Sequence, residues 1–334
     1  MIEVREFGRT SDGTQIELYK LTNQSGASAS VITYGAAIQS VRVPDRSGKL
    51  DDVVLGCDDA EAYEKQTGYL GATLGRCCSR IAKGEFMLNG QKHKLTINSG
   101  DLHLHGGACG FDKKVFAAEV QGEKVVMRYT SPDGEEGYPG TLSVEIQFSF
   151  SDDNELCIEY SATCDKDTIC ALTNHTYFNL KGHGSGDIWE HRLKVYAKDF
   201  TELDSKNLPT GRILPVDGTP MDFQEFRVLS DGARSGNFAF GAHEGLILMA
   251  ELEEQESGRV MEVYSTKPGL QHYAGYALNV PFAAKDGVFY VPSAGTCLEP
   301  QFYSDAINFE NFPSPVLKVG ETYSHITKYR FAVK

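Results

Sequence analysis

Two side chains stand out because their surroundings give them no ordinary reason to be there. His175 sits inside "LTNHTYFNL" (172–180), a run of apolar and β-favouring residues with an amide on each side, Asn174 and Asn179. Glu299 sits inside "GTCLEPQFYSDAINF" (295–309), between Leu298 and Pro300. A carboxylate in apolar text must be paired, hydrogen-bonded or protonated. An imidazole and a carboxylate on opposite sides of a small ligand are the minimum for proton-transfer chemistry. A structural ion pair of Glu299 with Arg80, and a satisfied core histidine at 175, are the plainer readings of each residue taken alone.

Two further stretches break the pattern with chemistry-capable residues. "GRCCSRIAKG" (75–84) carries Arg76 and Arg80, and "DLHLHGGACGFDKK" (101–114) carries His103 and His105. The paired glycines after His105 permit close backbone approach and unusual dihedrals. His103 and His105 share a strand face and could take His175 as a third zinc ligand, but histidines two apart are common and weak evidence for a metal. No Gly-x-Ser-x-Gly elbow and no phosphate-binding glycine loop occurs.

The elements that must position these residues are strands. In "TLSVEIQFSF" (141–150), Leu142, Val144, Ile146, Phe148 and Phe150 alternate with polar residues. "ELCIEYSA" repeats the pattern, and "YSHITKYRFAV" does so again with Tyr323, Tyr329, Phe331 and Val333 in phase. Strict alternation means half-buried strands. Asn89-Gly90 in "EFMLNGQKHKL" is the preferred pair for a tight type I′ hairpin turn. The best helical signal is the short "DDAEAYEKQ" (58–66). Many strands, frequent turns and few short helices predict an all-β protein, a large antiparallel sandwich or barrel. No linker, repeat or low-complexity tract divides the 334 residues, so one domain over 1–334 is the expectation.

Composition narrows the partners. The chain has 32 basic and 46 acidic residues, a net charge of −14. Such a surface repels phosphate backbones and anionic lipid, which argues against nucleic-acid and membrane partners. The N-terminal "MIEVREFGRT" lacks a signal-peptide pattern, and no window reaches 18 apolar residues. Eight cysteines without regular spacing, mostly in apolar text, fit reduced thiols and a cytoplasmic protein. The same acidic character fits a monomer or a weak homodimer.

Taken together, the motifs resemble the galactose mutarotase (aldose 1-epimerase) family. The matching text is "GRCCSRIAKGEFMLNGQ", "LHGGACGFDKKVF", "SPDGEEGYPG", "LTNHTYFNL", "LPTG", "SGRVMEVYSTKPGLQHY" and "CLEPQFYSDAINF", in family order over roughly residues 70 to 330. The resemblance implies a galactose mutarotase-like β-sandwich with its site in a cleft on one sheet. It implies interconversion of the α and β anomers of free aldohexoses, with no metal and no organic cofactor. Position by position it makes Glu299 the general base, His175 the general acid and His105 a second histidine near the sugar's ring oxygen or C1. Arg80 and Gln271 become sugar ligands.

Two departures bear on substrate contacts. Ser79 stands where the family usually has Asn, with one donor in place of two. In "FAFGAHEGLILMA" (238–250), His243 falls where the family has an aspartate that contacts sugar hydroxyls, with Glu244 beside it. Both departures make Ser79 and His243 candidate substrate contacts of altered character. They leave open a sugar-binding or regulatory relative with little activity, or an epimerase for a different sugar.

Overall fold

In a computed structural model, which describes residues 1–229 and 235–334, the chain is built almost wholly of antiparallel sheet. The one α-helix among the described residues is Ala60–Lys65, where the charged 58–66 stretch predicts it. The Asp59 side chain caps its N-terminus by accepting from the Ala62 N–H.

The alternating runs become the centre of a nine-stranded sheet. Its strands lie in the order Ala117–Gln121, Lys124–Ser131, Leu142–Phe150, Glu155–Cys164, Tyr323–Val333, Arg259–Ser265, Ile247–Glu253, Arg192–Val195 and Arg227–Val228. Leu142, Val144, Ile146 and Phe148 are buried while Ser143 is exposed, as period two requires. The phase holds through Tyr323, Tyr329 and Phe331 but ends before Val333, which is 40 % exposed where the strand runs out of cover. Asn89 and Gly90, both at positive φ, close the hairpin of Glu85–Leu88 with Gln91–Lys94.

A six-stranded sheet faces it, in the order Tyr177–Phe178, Thr296–Gln301, Gly269–Tyr273, Gly236–Ala239, Asp199–Leu203 and Pro209–Pro215. Phe238, Leu270 and Leu298 point from this sheet into a core shared with Met261, Val263, Tyr329 and Phe331 of the larger one. The Tyr329 hydroxyl donates to the Leu298 carbonyl at 3.0 Å across the same core. Leu298 facing down puts its neighbour Glu299 on the opposite, concave face.

The N-terminal strands Ile2–Arg9, Gln15–Thr22, Ser28–Ile32, Ala37–Pro44 and Leu50–Asp52 form a five-stranded meander. A buried ion pair ties it to the 285 turn. Lys285 Nζ lies 2.7 Å from Asp52 Oδ2 and donates to the carbonyls of Gln39 at 2.8 Å and Val54 at 2.5 Å. Removing one partner of such a pair leaves a buried, uncompensated charge. Lys285→Met should therefore lower unfolding stability by about 3–5 kcal/mol, read as the midpoint shift in urea denaturation. An unchanged midpoint would show that the pair contributes nothing.

Candidate active site

His175 lies where the chain passes from one sheet pairing to another. Thr173–Asn174 pairs with Thr73–Leu74, and Tyr177–Phe178 pairs with Thr296–Gln301. The flanking amides hold this crossing and do not touch the ring. Asn174 Nδ2 donates to the Gly71 carbonyl at 2.7 Å, and Asn179 Nδ2 donates to the carbonyls of Ala294 at 2.9 Å and Gly186 at 3.1 Å. The ring itself is held by Cys297, whose Sγ lies 3.5 Å from Nδ1, and by Tyr69, Tyr177 and Tyr273 with ring centres 5.0–6.2 Å away.

Pairing of Tyr177 with Cys297 sets the register that carries Glu299 to the same spot. His175 Nε2 lies 3.8 Å from Glu299 Oε1, beyond a direct hydrogen bond and close enough for both to reach one small polar group between them. The two side chains are 5 % and 2 % exposed. Burial pushes the Glu299 carboxyl up to about 8, with the Arg80 charge opposing. Burial pushes His175 down to about 4, with a backbone hydrogen bond within the residue opposing. Both shifts favour uncharged forms, so the pair holds one proton across the neutral range.

His105 completes the group. Its ring meets that of His175 edge-on at 5.4 Å. Its Nδ1 accepts the Ser79 backbone N–H at 3.1 Å, and its backbone N–H donates to the Ser79 carbonyl at 2.9 Å. The neutral ring must then carry its proton on Nε2. Burial, followed by the charges of His175 and Arg80, holds this ring's pKa well below the ordinary histidine value. Gly106 makes the arrangement possible: it sits at φ +94°, and a Cβ there would lie 1.8 Å from the Gly75 carbonyl oxygen.

These residues open onto a cleft of about 290 Å³ on the concave sheet, of a size for a small molecule. Arg80, Ser79, His105, His175, Gln271 and Glu299 all line it. Gln271 stands directly opposite Glu299 in the sheet, and its Nε2 donates to the His272 carbonyl at 2.9 Å.

His243 is not brought to the cleft. It lies past the end of strand Gly236–Ala239, and its Nε2 pairs with the Lys267 carbonyl at 3.0 Å. The polar side chain that this stretch presents to the cleft is Asn237, opposite Gln271. Gln301, two residues beyond Glu299 on the same face, also lines the cleft. Sequence reasoning missed both; the period-two rule applied from Glu299 would have found Gln301.

The trio of His103, His105 and His175 does not form a metal site. His103 is committed elsewhere, with Nδ1 2.7 Å from the Thr96 carbonyl and Nε2 2.6 Å from the Tyr138 hydroxyl. Among the described residues, His175, Cys297 and Glu299 do place ligand atoms within 4.8 Å of one another. A cation held there would engage the lone pairs that proton transfer needs.

Fold and site together define a β-sandwich of the galactose mutarotase type. The GalM/aldose epimerase homologue from C. elegans superposes with a TM-score of 0.88 at 30% identity, covering 94% of this chain and 98% of that one. The chain belongs to the aldose 1-epimerase family, whose model matches residues 17–330. It is 41% identical over 313 residues to a galactose mutarotase from Bos taurus, covering 91% of this chain and 90% of that protein. It is 38% identical over 330 residues to one from Rattus norvegicus, covering 97% and 96%.

The buried carboxyl has a measurable cost. Its pKa in the folded chain lies above the ordinary glutamate value of 4.5, so the folded state is favoured while Glu299 is protonated. Stability is then lost as pH rises from the unfolded value towards about 8. Glu299→Gln, which cannot ionise, should be more stable than the parent by a margin that widens with pH across that window. At about 1.4 kcal/mol for each pH unit between the two pKa values, the margin grows to a few kcal/mol. Melting temperatures of both proteins across the window measure it; a constant margin would contradict the raised pKa.

Proposed function

We propose that the protein is an aldose 1-epimerase that interconverts the α and β anomers of free aldohexoses such as galactose and glucose. The observation that carries this reading is the buried juxtaposition of Glu299 and His175, 3.8 Å apart, at the floor of a cleft lined by hydrogen-bonding side chains. Ring opening of a cyclic hemiacetal needs a proton removed from the anomeric hydroxyl and one delivered to the ring oxygen. Either transfer alone leaves a high-energy ion.

With the sugar seated, the shared proton moves to His175, and the Arg80 charge favours the carboxylate this leaves on Glu299. Glu299 then accepts the anomeric hydroxyl proton while His175 gives its own to the ring oxygen. The C1–O5 bond breaks and C1 becomes an aldehyde. The pair is left as a carboxylic acid and a neutral imidazole, the uncharged state that burial favours. This recovers the desolvation cost of forming the ion pair in the first step, so burial makes the charged pair short-lived without net assistance to opening. Rotation about C1–C2 presents the other face of the aldehyde, and the same transfers in reverse close the ring. His105, with its proton on Nε2, donates to the sugar near C1 or the ring oxygen. Arg80 and Gln271 hold hydroxyls. Ser79 contributes through its backbone N–H, which fixes the His105 ring.

The intact acid–base pair favours an enzyme over a binding relative. The eight free thiols, seven of them wholly or partly buried, support a reducing cytoplasmic setting. Among the described residues no helix is long and apolar enough to cross a membrane. We take a neutral monosaccharide as the partner, and a monomer or weak homodimer as the working form.

Polarimetry tests the reading. Freshly dissolved α-D-galactose should reach its equilibrium rotation faster with the protein present. Glu299→Gln and His175→Asn should each lower turnover by at least about 100-fold. Near-parental turnover in either variant would remove that residue from its role. The pH dependence follows from the shared proton. Below about 4 His175 gains a second proton and no base remains. Above about 8 Glu299 loses the proton and no acid remains. kcat/KM should trace a bell between those limits, and a flat profile would count against the pair.

A further inference from the structure

One buried nucleophilic group beside the acid–base pair has no part in the proton transfers. Cys297 pairs with Tyr177 and Tyr273 in the sheet and lies two residues before Glu299, so both side chains share the concave face. Cys297 is a free thiol, 0 % exposed, with Sγ 3.5 Å from His175 Nδ1. One ring nitrogen of His175, the Cys297 sulfur and one Glu299 oxygen lie within 4.8 Å of one another. Among the described residues, Glu299 Oε2 has no hydrogen-bond partner. A buried oxygen is normally satisfied, so this one is open to a ligand.

Imidazole, thiolate and carboxylate are the ligand set of zinc-class ions, whereas calcium and magnesium take oxygen alone. A tetrahedral zinc with bonds of about 2.3 Å to sulfur and about 2.0–2.1 Å to nitrogen sets those two atoms about 3.5 Å apart. The Cys297 sulfur and His175 Nδ1 already stand at that separation. Glu299 supplies the third corner and closes on the ion by rotation about its side-chain bonds. The fourth position faces the cleft that His175 and Glu299 line, and is left for water.

The charges balance as well. Burial, followed by the Glu299 charge, holds the Cys297 thiol well above the ordinary cysteine value, and burial holds Glu299 protonated up to about 8. A divalent ion displaces both protons to solvent, and the thiolate and carboxylate left behind cancel its two charges. The complex is neutral overall, as a buried site requires. The other titratable groups facing it are Arg80, His105 and the phenols of Tyr69, Tyr177 and Tyr273. Burial raises all three phenols, so none of these groups adds a negative charge near neutrality.

We propose that His175, Cys297 and Glu299 form an inhibitory site for a zinc-class divalent ion, which enters through the cleft and competes with the sugar. Once bound, the ion occupies lone pairs of His175 and Glu299 through which the protons would move. The inhibition rests on the epimerase reading; the binding of the ion does not.

Cobalt(II) is the spectroscopic probe, because a thiolate ligand gives it a charge-transfer band in the near ultraviolet. The titration uses Cys109→Ser, which removes the exposed thiol. One equivalent of cobalt should raise the band, and adding Cys297→Ser in the same background should abolish it. Outer partners of metal ligands already contribute about 10–100-fold to affinity, so loss of the sulfur ligand should weaken zinc binding by at least about 100-fold in titration calorimetry. In polarimetry zinc should raise the apparent KM for D-galactose and leave kcat unchanged, with its potency reduced to the same extent by Cys297→Ser. No band in Cys109→Ser, a band that survives Cys297→Ser, or equal zinc affinity with and without the Cys297 sulfur would overturn the site. If Cys297→Ser does not fold, Glu299→Gln replaces it in the calorimetry: weaker zinc binding would support the site and an affinity equal to the parent's would overturn it. If no aldose is turned over, the epimerase reading fails while the cobalt band and its dependence on Cys297 still decide the metal site.

Discussion

Everything in the site depends on keeping a carboxyl group and an imidazole out of water and within 3.8 Å of each other. In solvent the carboxylate would be charged, the imidazole would titrate on its own, and neither would know of the other. Burial raises one and lowers the other, so both groups favour their uncharged forms. The concave sheet is the device that enforces this. Leu298 faces the core, Glu299 faces the cleft, and no intermediate orientation is open to a residue on a paired strand.

The support beneath the pair is unusually polar. Lys267 is fully buried behind the crossing that carries His175, donates to the Leu172 carbonyl at 2.6 Å, and lies 3.9 Å from the centre of the Tyr160 ring. Burial pushes its pKa down to about 7. Thr173 Oγ1 donates to the Pro300 carbonyl at 2.7 Å, joining the backbone ahead of His175 to the backbone after Glu299. These bonds fix main chain, and through it the distance between His175 and Glu299, which loops alone hold less well.

Much of this was legible from residue order, because the signals were local. Alternation in 141–150 needed only its own stretch, and Asn89-Gly90 announced a hairpin without reference to anything distant. Glu299 was conspicuous because a charge interrupted apolar text. Asn237 was invisible for the opposite reason: an amide between Gly236 and Phe238 looks like a turn residue, and only pairing with Gln271 shows what it faces. The search for a charged contact led instead to His243, further along the chain, which the backbone takes beyond the cleft. The amides on either side of His175 staple the backbone around it, a role that residue order does not reveal. Side-chain direction at a crossing between sheets is set by tertiary pairing and leaves no local mark.

The pairing of Tyr177–Phe178 with Thr296–Gln301 also has a temporal consequence. His175 and Cys297 are 122 residues apart in the chain, and the contact between them closes a loop of that length. Long-range strand pairing is slow, because the entropy of closure is lost before the contacts repay it. During synthesis His175 leaves the ribosome long before Glu299. The emerging protein therefore carries most of its strands while His175 still has no carboxyl beside it. The cleft is completed late, when the strand bearing Glu299 docks between two neighbours that were made before it.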